Sequence, residues 1–254
     1  MAEAVNSKTR SLRLISLAAA VFLPLGVYVF SVPNPVFRFS IPFFVGGVLL
    51  VEGASWVVLG NALEARPWIL MRSALFYTAW LCTFFLVPSS ALLWWYVLCS
   101  VPILYLGHSL VAYTGETVLI SHTILTSFGI LLAAAAGEYY FKAGSLLLTT
   151  LVFVSLLLLV RATYVFVPQQ SAVRLSASLL VALFATECYA ALLFLPFHYT
   201  VIGFLAFLVF YVIWLCAYYW QFNVLSAKKV QFYVLFALVL ALVVLLVTPW
   251  HIVS

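Results

Sequence analysis

From Ile15 onward the chain is a succession of apolar stretches about twenty residues long, cut into pieces of nearly equal length by Pro, Gly and charge clusters. A helix needs about 20 apolar residues to cross the hydrocarbon core of a bilayer, and a chain in lipid must satisfy its own backbone hydrogen bonds. The spacing therefore predicts an all-α fold: a polytopic transmembrane helix bundle of about nine spans, one domain over residues 1–254 with no soluble domain. The predicted spans are 14–31, 41–60, 68–87, 91–112, 117–136, 144–165, 175–195, 200–221 and 230–250. Connections such as Val87-Pro88-Ser89-Ser90, Tyr113-Thr114-Gly115-Glu116 and Pro196-Phe197-His198-Tyr199 are too short to hold anything else.

Composition agrees. Hydrophobic residues make up 67% of the 254 and charged residues 7%, with a mean hydropathy of +1.25, where a soluble domain carries about 25% charged residues. Eleven Lys and Arg, six Glu and no Asp cannot coat a globule of this size, so most of the surface is expected to face lipid. The lipid bilayer is the expected partner, with a membrane protein or a second copy of the chain as the further one. The net charge of +5 does not indicate nucleic acid, because the basic residues sit at span ends and not in one patch.

Those basic residues report orientation. With a cytoplasmic N-terminus, nine (Lys8, Arg10, Arg13, Arg66, Arg72, Arg161, Arg174, Lys228 and Lys229) fall inside and two, Arg38 and Lys142, outside. An eight-span reading loses that asymmetry, so the expectation is an odd count with an external C-terminus. Aromatic residues mark the same boundaries: Trp94, Trp95, Tyr96, Tyr139, Tyr140 and Trp250 at the outer one, Trp68, Tyr218, Tyr219 and Trp220 at the inner one. The first apolar run is long and lacks a small-residue cleavage site, which points to a retained signal anchor. Cys82, Cys99, Cys188 and Cys216 lie inside apolar runs without C-x-x-C spacing and read as buried free thiols.

Few polar groups lie at depth. Glu52 stands near the middle of span 2 and Glu187 near the middle of span 7. A Glu there costs about 2.5 kcal/mol or more on insertion scales, and asks for a partner, a proton or a water-filled cavity. The plain alternative is a hydrogen bond between helices that fixes their register. Ala190 and Ala191 follow Glu187 by one turn, so that part of span 7 is expected to face the bundle. In span 2, Gly46, Gly53 and Gly60 recur every seven residues as a smooth packing stripe.

Spans 4 and 5 form a hairpin in which His108 and His122 stand at equal sequence distance from Gly115, hence at similar depth. Ser121, Thr123, Thr126 and Ser127 make span 5 the most polar one, and that face is expected inward. Glu116, at the mouth of the hairpin, suits the N-terminus of helix 5. His108, His122, Glu116 and Arg72 together suggest a proton relay or solute site; the simpler reading is two histidines bonded to hydroxyl or backbone groups. Arg72 and Arg161 are expected to snorkel to the headgroups, and Pro24 and Pro102 to kink spans 1 and 4. Two histidines without a third ligand make no metal site, and no cofactor is implied.

Absent residues exclude chemistry. Without Asp there is no aspartyl dyad, no D-x-D metal clamp and no Ser-His-Asp triad. No G-x-S-x-G, H-E-x-x-H, Walker A or G-x-G-x-x-G motif occurs either, and no catalytic residue is nominated.

The segment Glu187-Cys188-Tyr189-Ala190-Ala191-Leu192-Leu193-Phe194-Leu195-Pro196, preceded by Arg161-Ala162-Thr163-Tyr164 and followed by a Tyr-rich span, resembles an uncharacterised polytopic membrane-protein family of candidate-phyla (Patescibacteria-like) bacteria. The resemblance covers the C-terminal third. It implies a bacterial cytoplasmic (inner) membrane and carries no activity with it.

Three functions fit these residues. The foremost is a small-solute or proton-coupled translocator with Glu52 and Glu187 as midplane carboxyls and the His108/His122 hairpin as an inner gate. Next is a non-catalytic subunit or assembly scaffold that packs through Gly46, Gly53, Gly60, Ala190 and Ala191. Third is an intramembrane lipid-modifying enzyme, for which only Glu116, His108, His122 and Arg72 offer groups.

Overall fold

The computed structural model describes residues 2–31, 37–59, 66–84, 90–109, 116–141, 144–167 and 169–248. Within them are nine α-helices and no strand: α1 (Ala2–Ser31), α2 (Phe37–Leu59), α3 (Arg66–Phe84), α4 (Ser90–Ser109), α5 (Glu116–Phe141), α6 (Ser145–Tyr164), α7 (Ser171–Leu193), α8 (Tyr199–Gln221) and α9 (Ala227–Val247). Each matches one predicted stretch within a few residues, except that α1 begins well before its apolar run. Gly60 of the predicted packing stripe lies outside the described residues.

Among the described residues, five helical segments are long and apolar enough to cross a membrane: Glu116–Tyr140, Ser145–Tyr164, Ser171–Leu193, Tyr199–Gln221 and Ala227–Val247. Shorter apolar segments, Ser11–Gly26, Val45–Val58 and Trp95–His108, lie in α1, α2 and α4. Local chemistry sets the later boundaries. His198 caps α8, its Nδ1 accepting from the Thr200 amide at 3.5 Å, and Ser226 caps α9 by accepting from the Lys229 amide at 3.4 Å. Past α8 the chain reverses at Asn223, whose φ of 56° is left-handed, a conformation Asn tolerates better than most residues.

The chain forms two compact units, Met1–His122 and Thr123–Ser254. In the first, α1 packs on α2 and α4, and α3 on α2 and α4. Its core joins Ala19, Ala20 and Leu23 to Val48, Phe76, Tyr77, Leu81, Val97 and Leu104. A polar zipper ties α3 to α4: Trp80 Nε1 donates to Ser100 Oγ at 3.0 Å, Tyr96 Oη donates to the Trp80 carbonyl at 2.7 Å, and Tyr96 also meets the Thr83 hydroxyl. In the second unit α7 lies between α6 and α8, and α9 packs on α8. Of the described α9 residues only Ala237 is buried, while Phe232, Leu235, Leu238, Leu242 and Leu246 are exposed. So much apolar surface is at rest only among acyl chains.

Candidate functional site

Polar side chains gather in the core of the first unit. On α2, Glu52 and Ser55 are one turn apart. On α3, Arg72 and Ser73 stand one turn before Phe76 and Tyr77. α4 brings His108 and the start of α5 brings His122. Ser55, Arg72, Ser73, Tyr77, His108 and His122 are all buried.

His108 is the hub. Its Nδ1 shares a hydrogen bond with Ser73 Oγ at 2.9 Å and its Nε2 one with Ser55 Oγ at 3.1 Å. In a neutral imidazole one ring nitrogen donates and the other accepts, so one serine accepts while the other donates. A single α4 side chain thereby links α2 to α3. The Tyr77 ring lies 5.3 Å from the His108 ring, and the Phe76 ring 4.8 Å from that of His122. Gly107 makes room for this arrangement, because a Cβ there would collide with the Phe76 ring. His122 lies within electrostatic reach of both Arg72 and His108.

Glu52 borders the same group. Both of its carboxylate oxygens are buried and neither has a hydrogen-bond partner. Tyr77 lies within its electrostatic reach, and Ser73 approaches it without attaining hydrogen-bonding geometry. Ser73 is therefore the meeting point of the carboxyl and the imidazole. The first unit thus assembles a carboxyl, two imidazoles, a guanidinium, a phenol and two hydroxyls on four helices.

Several sequence expectations need correction. Arg72 does not snorkel: it is wholly buried, because its helical neighbours Ile69, Ser73 and Phe76 face the core and carry it with them. Glu187 is exposed on α7, flanked by the exposed Leu183 and Phe184, and Ala191 is exposed as well. A longer stripe of small residues decides which face of α7 packs: Ala177, Ser178, Val181, Ala182 and Ala185 are buried and lead to Thr186 and Tyr189, leaving Glu187 on the opposite side of the helix, roughly 170° from the centre of that face. Glu116 opens α5 at an exposed position and is not part of the buried group. Gly53 is exposed, and a Cβ at Gly46 or Gly53 would meet nothing within 4 Å, so neither packs against another helix of the described chain. Cys99 is exposed, unlike the half-buried Cys82, Cys188 and Cys216.

The polar face of α5 does point inward, with Thr123, Thr126 and Ser127 buried and Ser121 exposed. Thr123 Oγ1 and Thr163 Oγ1 share a hydrogen bond of 2.9 Å in the second unit. Sequence reasoning missed Ser55, Ser73 and Tyr77. The available signal was spacing: Ser55 follows Glu52 by three residues, and Tyr77 follows Ser73 by four.

Fold and exposed surface together define a multi-pass integral membrane protein of α-helices. No protein-family model matches the chain, and neither a curated protein nor a solved structure is significantly similar to it.

Proposed function

We propose that the protein is a proton-coupled translocator of small solutes in a bacterial cytoplasmic membrane, with Glu52 as the carboxyl that takes up and releases the proton. The observation that carries this reading is the state of Glu52: two buried oxygens without a hydrogen bond. A carboxyl kept only to fix helix register would have its oxygens bonded, as buried polar groups generally are. One that exchanges a proton or cation with a passing species has to leave them available. The Ser55, His108 and Ser73 chain beside it is made of groups that both donate and accept, which is what a proton path requires. The role first assigned jointly to two carboxyls falls to Glu52 alone.

The test is flux. Full-length protein in liposomes with a trapped pH indicator, given a pH gradient and a mixture of small metabolites on one side, is expected to collapse the gradient faster than empty liposomes. Glu52→Gln should slow that by about a hundredfold, the scale of losing a positioned proton-transfer group, while Glu187→Gln leaves the rate unchanged. Equal rates for wild type and Glu52→Gln would sink the reading.

One observation favours the scaffold alternative. Gly46 and Gly53 present a smooth stripe that no helix of the described chain covers, a surface suited to close approach by a helix of another protein. Wild-type liposomes that hold the gradient as empty ones do would shift the balance to that reading.

The orientation proposed with this function is nine spans, N-terminus cytoplasmic and C-terminus outside, on the charge asymmetry given above. Alkaline phosphatase fused after Ser254 is expected to be active in whole cells, and after Lys229 inactive; the reverse pattern overturns the orientation.

A further inference from the structure

The corner between α6 and α7 holds two arginines that cross. Arg161, in the last turn of α6, directs Nη1 to the carbonyl of Ser171, the first residue of α7, at 3.4 Å. Arg174, in the first turn of α7, directs Nη1 back to the carbonyl of Val165, just past α6, at 2.8 Å. Each guanidinium is thus anchored to the opposite helix, and the two lie close enough to repel one another. Arg174 Nε is buried and has no hydrogen-bond partner.

The charges the two helices themselves bring to this corner, Arg161 and Arg174, are both positive. Arg174 sits at the N-terminal end of α7, where the helix dipole disfavours a cation. No side chain caps that end, since Gln170 makes no capping bond, and the first amides of a helix have no acceptor within it. From Tyr139 to Thr186 the sequence contains no acidic residue. Like charges held together at the wrong end of a dipole are stable when an anion lies between them, and a planar guanidinium pair matches the oxygens of a phosphate. The surroundings fit a lipid phosphate: both arginines are half-buried, while Ser171, Ala172 and Leu175 beside them are exposed.

We propose that Arg161 and Arg174 form a binding site for a phosphate group, that of an anionic phospholipid headgroup seated at the α6–α7 corner. The same chemistry would accept free phosphate, so the experiment separates the two sources.

Full-length protein in mild detergent is mixed with phosphatidylglycerol or phosphatidylcholine, and retained lipid is counted by native mass spectrometry. Wild type should hold phosphatidylglycerol about thirtyfold more tightly than Arg161→Gln/Arg174→Gln does, the scale expected for two basic groups at a membrane surface. Lys228→Gln/Lys229→Gln, which removes the same net charge elsewhere, should bind as wild type does. Arg161→Lys/Arg174→Lys keeps the charge without the fork; it guards against misfolding in the glutamine pair and should bind at an intermediate level. Inorganic phosphate that displaces the lipid and raises the melting temperature of wild type, but not of the glutamine pair, would show a phosphate site open to either source. Equal retention of the two lipids by wild type with no response to phosphate would overturn the proposal, as would an equal loss in the lysine-to-glutamine control.

Discussion

Replacing His108 by leucine is expected to destabilise the first unit by about 2 kcal/mol. The figure comes from two interhelical hydrogen bonds, each worth about 0.6 to 1.7 kcal/mol in a membrane protein, with the apolar volume of leucine offsetting part of the loss. The bonds at stake join Nδ1 to Ser73 and Nε2 to Ser55, so one substitution removes the His108 link from α4 to both α2 and α3. The asymmetry of buried hydrogen bonds supplies a sharper form of the same result. His108→Leu leaves two buried hydroxyls without their ring partner, whereas the triple variant Ser55→Ala/Ser73→Ala/His108→Leu leaves none, so the triple variant should be the more stable of the two. SDS-driven unfolding in mixed micelles, followed by the fluorescence of Trp80 in the same core, measures both. A His108→Leu protein that unfolds at the wild-type SDS fraction, or a triple variant less stable than the single, would show that His108 does not hold these helices together.

The helices themselves were legible in the sequence because in lipid a run of about 20 apolar residues bounded by Pro, Gly or charge has few other fates. The chemistry-bearing residues were legible one by one for a related reason: Glu52, Arg72, His108 and His122 stand out against an apolar background. Their grouping was legible in part: the sequence groups His108, His122 and Arg72, which do share one core, but Glu116, grouped with them, stands exposed. Glu52 pairs by depth with Glu187 and not with these groups, and depth and chain distance do not determine which way a side chain faces. In a soluble helix the apolar stripe supplies that direction. In α4 or α7 nearly every residue is apolar, so direction is set by which small residues let a neighbour come close, and several stripes compete. On α7 the run from Ala177 to Ala185 prevailed over Ala190 and Ala191, and Glu187 turned outward. On α3 the core-facing residues around Arg72 drew it inward, although its position near a span end suggested snorkelling. The smaller polar residues that complete the site, Ser55, Ser73 and Tyr77, carry no charge to flag them and emerge only when helical spacing from the charged ones is traced.

Glycine gives the same lesson with a sign that can be measured. The repeating Gly46 and Gly53 have open space where a Cβ would stand, while the solitary Gly203 on α8 does not: its Cβ would come within 2.8 Å of Leu132 Cα and 3.3 Å of the Leu131 carbonyl oxygen on α5. The obstacle at Gly203 is backbone, which cannot rotate aside as the end of a side chain can. Gly203→Val is therefore expected to destabilise the second unit by about 3 kcal/mol, at the upper end of what overpacking costs, even though valine is the better helix former. Gly53→Ala should move the other way, gaining up to about 1 kcal/mol from helix propensity with nothing to strike. SDS unfolding reported by Trp214, buried on α8, gives the first value, and Trp80 gives the second. If Gly203→Val unfolds with the wild type, α5 and α8 are not in backbone contact. If Gly53→Ala is as damaging as Gly203→Val, the stripe on α2 is occupied after all, and the helix that occupies it belongs to a second copy or to another protein. The contrast rests on a geometric distinction that periodicity cannot supply: a glycine matters where another backbone has come within a van der Waals radius of it, and a single such position outweighs a regular series of open ones.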